Sequence, residues 1–180
     1  MSIKAERAKS VRSALTAIFF LQGALGTVMI PRVPEIIEQI DVNFTAWGAI
    51  LGFSGLGALV GLMYANRYIV RFGSRRVLEV SSVASAMLLI SIPFITNAWI
   101  FFLVQAAMAF TGSCFNIALN MQGVVLQKML NRTLIGKFHA VWSIGAASSA
   151  AVSAVLATFL PMWLHFLLIP GVSAVILYVS

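Results

Sequence analysis

Four stretches of this chain contain no Asp, Glu, Lys or Arg, and their lengths limit the fold more tightly than any motif. They hold 19 residues between Arg12 and Arg32, 25 between Asp41 and Arg67, 48 between Glu79 and Lys128, and 43 after Lys137. A helix needs about 20 apolar residues to cross the hydrocarbon of a bilayer. The first two stretches therefore give one span each. The two long stretches give two spans each, broken at Pro93 to Asn97 and around Pro161. Closed barrels are excluded, because their strands alternate polar and apolar residues over about 10 positions, and these runs are apolar throughout. The expected fold class is an all-α integral membrane protein with six transmembrane helices. The expected spans are about 13–30, 44–65, 76–93, 98–125, 138–159 and 162–180. Residues 1–12 form a cytoplasmic amino-terminal segment and 13–180 a six-helix transmembrane domain, leaving no room for a soluble domain.

Composition agrees. Of 180 residues, 61% are hydrophobic and 9% charged, against about 25% charged in a soluble domain. This excludes a soluble enzyme, a disordered tail and a nucleic-acid module. The single cysteine, Cys114, excludes an internal disulfide and a multi-cysteine metal site. No cofactor or metal is expected.

The net charge of +7 has a topological explanation. Lys4, Arg7, Lys9 and Arg12 precede the first span. Arg67, Arg71, Arg75 and Arg76 lie between the second and third, and Lys128, Arg132 and Lys137 between the fourth and fifth. Those three segments share one side, and only Arg32 falls on the other. Basic loops mark the cytoplasmic face, so both termini are expected in the cytoplasm, with the chain in the cytoplasmic (inner) membrane. Trp47, Trp99 and Trp163 near the outer span ends fit an aromatic belt. The basic segment before the first span resembles a secretion signal. Its apolar stretch is long and lacks an A-x-A site, which predicts a retained helix. The outer loop 31–43 carries Glu35, Glu38 and Asp41, and Pro34 is placed to start a short surface helix capping the first two spans.

The faces of the spans carry the functional signal. On the fourth, Gln105, Ala109, Gly112, Asn116, Asn120, Gly123 and Gln127 recur in steps of three and four. They form one polar and small stripe on an otherwise apolar helix. Polar side chains inside a membrane face a bundle interior or a wet cavity, and cavity lining is the expectation for this stripe. Gln22 lies near the middle of the first span, one turn from Gly26, and needs either a solute or a neighbouring helix as its partner. The second span holds two G-x-x-x-G spacings, Gly48/Gly52 and Gly57/Gly61, which predict close helix packing. The fifth has His139, Ser143, Ala146, Ala150, Ser153 and Ala157 along one stripe, again read as packing. His139 near the cytoplasmic end is the candidate proton carrier, with a structural role the stronger expectation. None of the five acidic residues, Glu6, Glu35, Glu38, Asp41 and Glu79, lies at mid-membrane depth.

Gly52-Phe53-Ser54-Gly55 mimics an intramembrane serine protease. Such a serine needs a histidine within hydrogen-bond reach, and neither His139 nor His165 falls at its depth. The acidic inventory cannot build a catalytic metal cluster.

The loop from Asn66 to Leu78 reads NRYIVRFGSRRVL. It resembles the signature loop of the major facilitator superfamily, G-x-x-x-D-R-x-G-R-R, at the place that family puts it. Arg71, Gly73 and Arg75 match, while Asn66 replaces the glycine, Val70 the aspartate and Ser74 an arginine. Arg32 to Ile36, and the residues Asn116, Ala118, Asn120, Gln122, Gly123, Phe138, His139, Ser143, Ile144 and Gly145, resemble a bacterial branch near the fucose-permease-like and YbjJ-like transporters. The proline–glycine motif of drug antiporters is missing from the fifth span. The resemblance implies one half of a two-half bundle, built as two inverted three-helix repeats, and it extends to the first half only, stopping at Ser180. It implies a secondary transporter of a small polar solute, inactive as an isolated half. Its partners would be the lipid bilayer, the solute, and the missing second half or a second copy. Gln22, Asn116 and Asn120 would line the cavity, and Arg71, Gly73 and Arg75 would form the cytoplasmic gate loop. The alternative is a non-transporting six-helix protein acting as an assembly subunit or homodimer.

Overall fold

The computed structural model describes residues 3–168, with side chains from residue 9. The described helices are α1 (Ile3–Thr27), α2 (Val33–Gln39), α3 (Phe44–Phe72), α4 (Ser74–Ser91), α5 (Ala98–Leu130) and α6 (Ile135–Ala157). Residues 162–168 are helical as well, and the rest of the expected sixth span lies outside the described residues. Among the described residues five helices, α1 and α3 to α6, are long and apolar enough to cross a membrane.

Helix ends follow local chemistry rather than membrane thickness. Asn43 starts α3 by accepting from Ala46 N–H at 2.8 Å, and Asn97 starts α5 by accepting from Trp99 and Ile100 N–H. α3 runs to Phe72, past its expected end near 65. Arg67 lies over the Tyr64 ring and Arg71 over the Phe72 ring, so the last turns emerge on aromatic stems with basic residues at the negative helix end. Gly73 then ends the helix at φ 83°, ψ 148°, a conformation open only to glycine at low cost. α5 runs to Leu130 instead of 125 and stops at Asn131 in the left-handed region. α6 starts at Ile135, earlier than 138, because the Gln127 side chain accepts from the N–H groups of Leu134 and Ile135 at 2.9 and 3.3 Å.

The bundle has an apolar core at each end and small residues between. Near the α3–α4 turn, Leu15, Phe19, Ile69, Val77, Phe115, Leu119 and Phe138 are buried together, and Phe19 stacks on Phe138 at 4.9 Å. At the opposite end Val28, Ile36, Ile40, Trp47, Ile92, Phe101 and Phe166 form the second core. The short α2 is tied there by Gln39 Nε2, which donates to the Ile92 and Ile95 carbonyls at 3.2 and 2.6 Å.

Helices pair closely where side chains are absent. α1 packs along α6, and α3 along α5, with α4 against α5. A Cβ on Gly23 would collide with the Trp142 carbonyl, and one on Gly145 with the Phe20 carbonyl. Ser149 Oγ and Thr27 Oγ1 donate across the same seam to Ala24 and Ala146 carbonyls, each at 2.8 Å. In the second pair, Gly57 and Gly61 rest directly on the α5 backbone at Ala106 and Phe110. In lipid such close approach supplies the dispersion that hydrophobic burial supplies in water. The Gly48/Gly52 spacing behaves differently, because both positions face open space. Only one of the two G-x-x-x-G spacings is a packing seam within the described residues.

Candidate solute-facing surface

The expected stripe on α5 divides. Gln105 is buried, Gly123 lies against Ile135 and Phe138, and Gln127 caps the start of α6. These residues hold the fold together. Gly112, Asn116 and Asn120 stay on an open face: Asn116 is exposed, Asn120 half-buried, and nothing approaches Gly112. Asn120 Nδ2 donates to the Asn116 carbonyl and to Asn116 Oδ1, both at 2.9 Å. This leaves Asn120 Oδ1 as an acceptor and Asn116 Nδ2 as a donor without hydrogen bonds among the described residues. The pair thus leaves a free amide donor and a free amide acceptor on this open face, a combination able to hydrogen-bond hydroxyl or amide groups.

Gln22 on α1 is half-buried, and its Oε1 is buried with no hydrogen-bond partner. One turn on, Gly26 is exposed with nothing near it. The neighbouring helices therefore do not satisfy Gln22 through this oxygen.

His139 stands exposed, with its ring edge-on to Phe19 at 5.9 Å. The buried face of α6 is Phe138, Gly145, Ser149 and Ser153. The expected small-residue stripe is thus displaced at its start, where His139 and Ser143 are exposed. Close approach to α1 selects Gly145 and the hydrogen-bonding Ser149 instead. Ser54 Oγ donates to the Leu51 carbonyl at 2.9 Å, the internal bond of a helical serine.

The loop residues Arg71, Gly73 and Arg75 meet at the single-residue joint between α3 and α4. Arg75 Nε pairs with Glu79 Oε1 at 2.8 Å, with both side chains exposed. Val70, at the position of the family aspartate, is 82% exposed and offers the arginines no charge. Gln122 Nε2 donates to Ser74 Oγ at 2.9 Å, bracing α5 against the first turn of α4.

Sequence reasoning missed a buried polar cluster at the opposite end. Arg32 is 4% exposed and His165 fully buried. Arg32 Nε donates to His165 Nδ1 at 3.2 Å, while its terminal nitrogens reach Glu35 and the Leu160 carbonyl. One guanidinium thus joins the end of α1 to the end of α6 and to the helical stretch after it. With Nδ1 accepting, the imidazole proton belongs on Nε2, which is buried without a partner. The available signal was Arg32 itself, the lone basic residue on its side of the span map. Among the described residues, no three of His, Cys, Asp and Glu gather to hold a metal ion.

The long apolar helices are those of an all-helical, multi-pass membrane protein. The family described as transmembrane secretion effector, of the major facilitator superfamily, matches residues 4–169, and the chain belongs to that superfamily. It is 29% identical over 157 residues to the uncharacterized transporter y4wD of Sinorhizobium fredii, covering 85% of this chain and 41% of that protein. It is 27% identical over 146 residues to an uncharacterized MFS-type transporter of Yersinia pestis, covering 77% of this chain and 36% of that protein. The chain therefore spans about two fifths of the length of these relatives. The narrower likeness to fucose-permease-like transporters has no counterpart among these matches. No solved structure matches the chain.

Proposed function

We propose that the chain is the amino-terminal half of a secondary transporter that moves a small polar solute by alternating access. Gln22, Asn116 and Asn120 line the solute path. The observation that carries this reading is the open amide pair on α5, an exposed polar surface on a helix otherwise apolar enough to cross the membrane. A polar face of this kind is costly against lipid and useful against a wet cavity. Gln22 makes no side-chain hydrogen bond to a neighbouring helix among the described residues, and with its Oε1 buried the amide nitrogen is the group left to meet a solute.

The pairing of α1 with α6 and of α3 with α5 supports two inverted three-helix repeats, since the exchange relates the first helix of each repeat to the second helix of the other. The distribution of Lys and Arg supports both termini and the α3–α4 joint on the cytoplasmic side of the inner membrane. Arg71, Gly73 and Arg75 then form the inner gate loop. With Val70 in place of an aspartate, that gate works without the family's usual ion pair at this position. The name of the matching family, secretion effector, favours export as the direction. The open Gly48/Gly52 face of α3 supports a further helix contact, with the second half or with a second copy. A second copy would make the chain an assembly subunit or homodimer.

The test is transport by the full-length protein, with a solute found by screening. Asn120→Ala is expected to lower kcat/KM by about five- to tenfold, the worth of one hydrogen bond of roughly 1–1.5 kcal/mol, with membrane insertion unchanged. Unaltered kinetics would remove Asn120 from the solute path.

A further inference from the structure

A groove of about 390 Å³ lies between α3, α4 and α5 beside the α3–α4 joint. Tyr68 and Phe72 of α3, Val80 and Ala84 of α4, and Phe110 and Cys114 of α5 form its walls. Tyr68, Phe72 and Val80 are exposed, so the groove opens to the outside of the bundle. It faces away from the proposed solute path. At 100° per residue, the Phe110–Cys114 face of α5 points roughly 120° from the Asn116–Asn120 face. A second half docked over the amides would leave this groove against lipid.

The exposed Arg76 completes the lining. Glu79 is taken by Arg75, and Arg76 makes no ion pair among the described residues. Arg71 lies against the Phe72 ring at 5.2 Å, adding a second cation at this wall. The first turn of α4 has no side-chain cap, and its first internal bond is Val77 N–H to the Gly73 carbonyl. The N–H groups before Val77 are free to meet an anion. An apolar slot with a cationic rim is complementary to an acyl chain ending in a phosphate.

We propose that this groove is a binding site for one anionic phospholipid of the cytoplasmic leaflet, its acyl chain in the slot and its phosphate on Arg76. The choice of leaflet rests on the orientation proposed above, while the binding itself does not. The test is lipid retention by the purified full chain in detergent, read by native mass spectrometry. Dioleoyl-phosphatidylglycerol is expected to be retained about fivefold over dioleoyl-phosphatidylcholine, the effect of one arginine–phosphate attraction. Arg76→Gln should erase that preference. Ala84→Phe should fill the slot and lower retention of both lipids, with helical circular dichroism unchanged. Should that variant lose its helicity, Val80→Trp at the exposed wall supplies the same block. Glycerol phosphate alone should not be retained. Equal retention of the two lipids, or a phosphatidylglycerol preference untouched by Arg76→Gln, would overturn the site. Retention of glycerol phosphate at the level of the lipid would also overturn it, as would a dimer broken by the blocking variant in the absence of lipid.

Discussion

Asn116 and Asn120 show how little separates a structural amide from a functional one. On the same helix Gln105, Gln122 and Gln127 are equally polar, yet one is buried and the other two bind Ser74 and the α6 start. Step size along a helix groups such residues but does not say which have found partners. Gly73 was legible, because a glycine between two basic helical ends has few other uses and the family loop marks it. The Arg32–His165 contact was not legible, since it joins positions 133 residues apart. Arg32→Met should cost roughly 2–4 kcal/mol, because it strands the buried His165 Nδ1 and the part-buried Leu160 carbonyl. The half-exposed Glu35 contributes little to that sum. Thermal melting in detergent measures it, and an unchanged midpoint would contradict the role assigned to the cluster. Ser153 offers the opposite case, a fully buried hydroxyl with no partner. Ser153→Ala should stabilise the bundle by about 1 kcal/mol, and a lower melting temperature would show that the hydroxyl has found one.

Among the elements, charge-free stretches located the five described helices that are long and apolar enough to cross a membrane, but not their ends. The count measures hydrocarbon thickness, whereas α3, α5 and α6 end or begin where Gly73, Asn131 and Gln127 satisfy the backbone. Periodicity identified Gly57/Gly61 as a seam and could not separate it from Gly48/Gly52, which has the same spacing and faces open space. The difference lies in where α5 runs, which is tertiary information. Gly57→Leu should therefore destabilise the bundle by about 1–3 kcal/mol or more, as overpacking against the Ala106 carbonyl demands. Gly52→Leu should stay within about 0.5 kcal/mol in the monomeric 180-residue chain, where nothing covers that face. Chemical or thermal melting of the two variants checks the contrast, and equal losses would refute the assignment of seam and open face.

At the scale of the whole molecule, two end cores enclose a middle layer of glycine, alanine and serine contacts. Rigid ends joined through small residues suit helices that tilt against one another as an access path alternates. The single-side clustering of basic residues, the loop at Gly73 and the amides of α5 all suit a member of this superfamily. In the proposed function, transport depends on the amide face. Single cysteines at Asn116 and Asn120, with Cys114 replaced by alanine, and at Leu103 and Val80 as lipid-facing positions, can be exposed to a water-soluble maleimide in membranes holding both halves of the transporter. The account predicts rapid labelling at 116 and 120, slowed by solute, and none at 103 and 80. Silence at both asparagine positions, or equal reaction at all four, would contradict it.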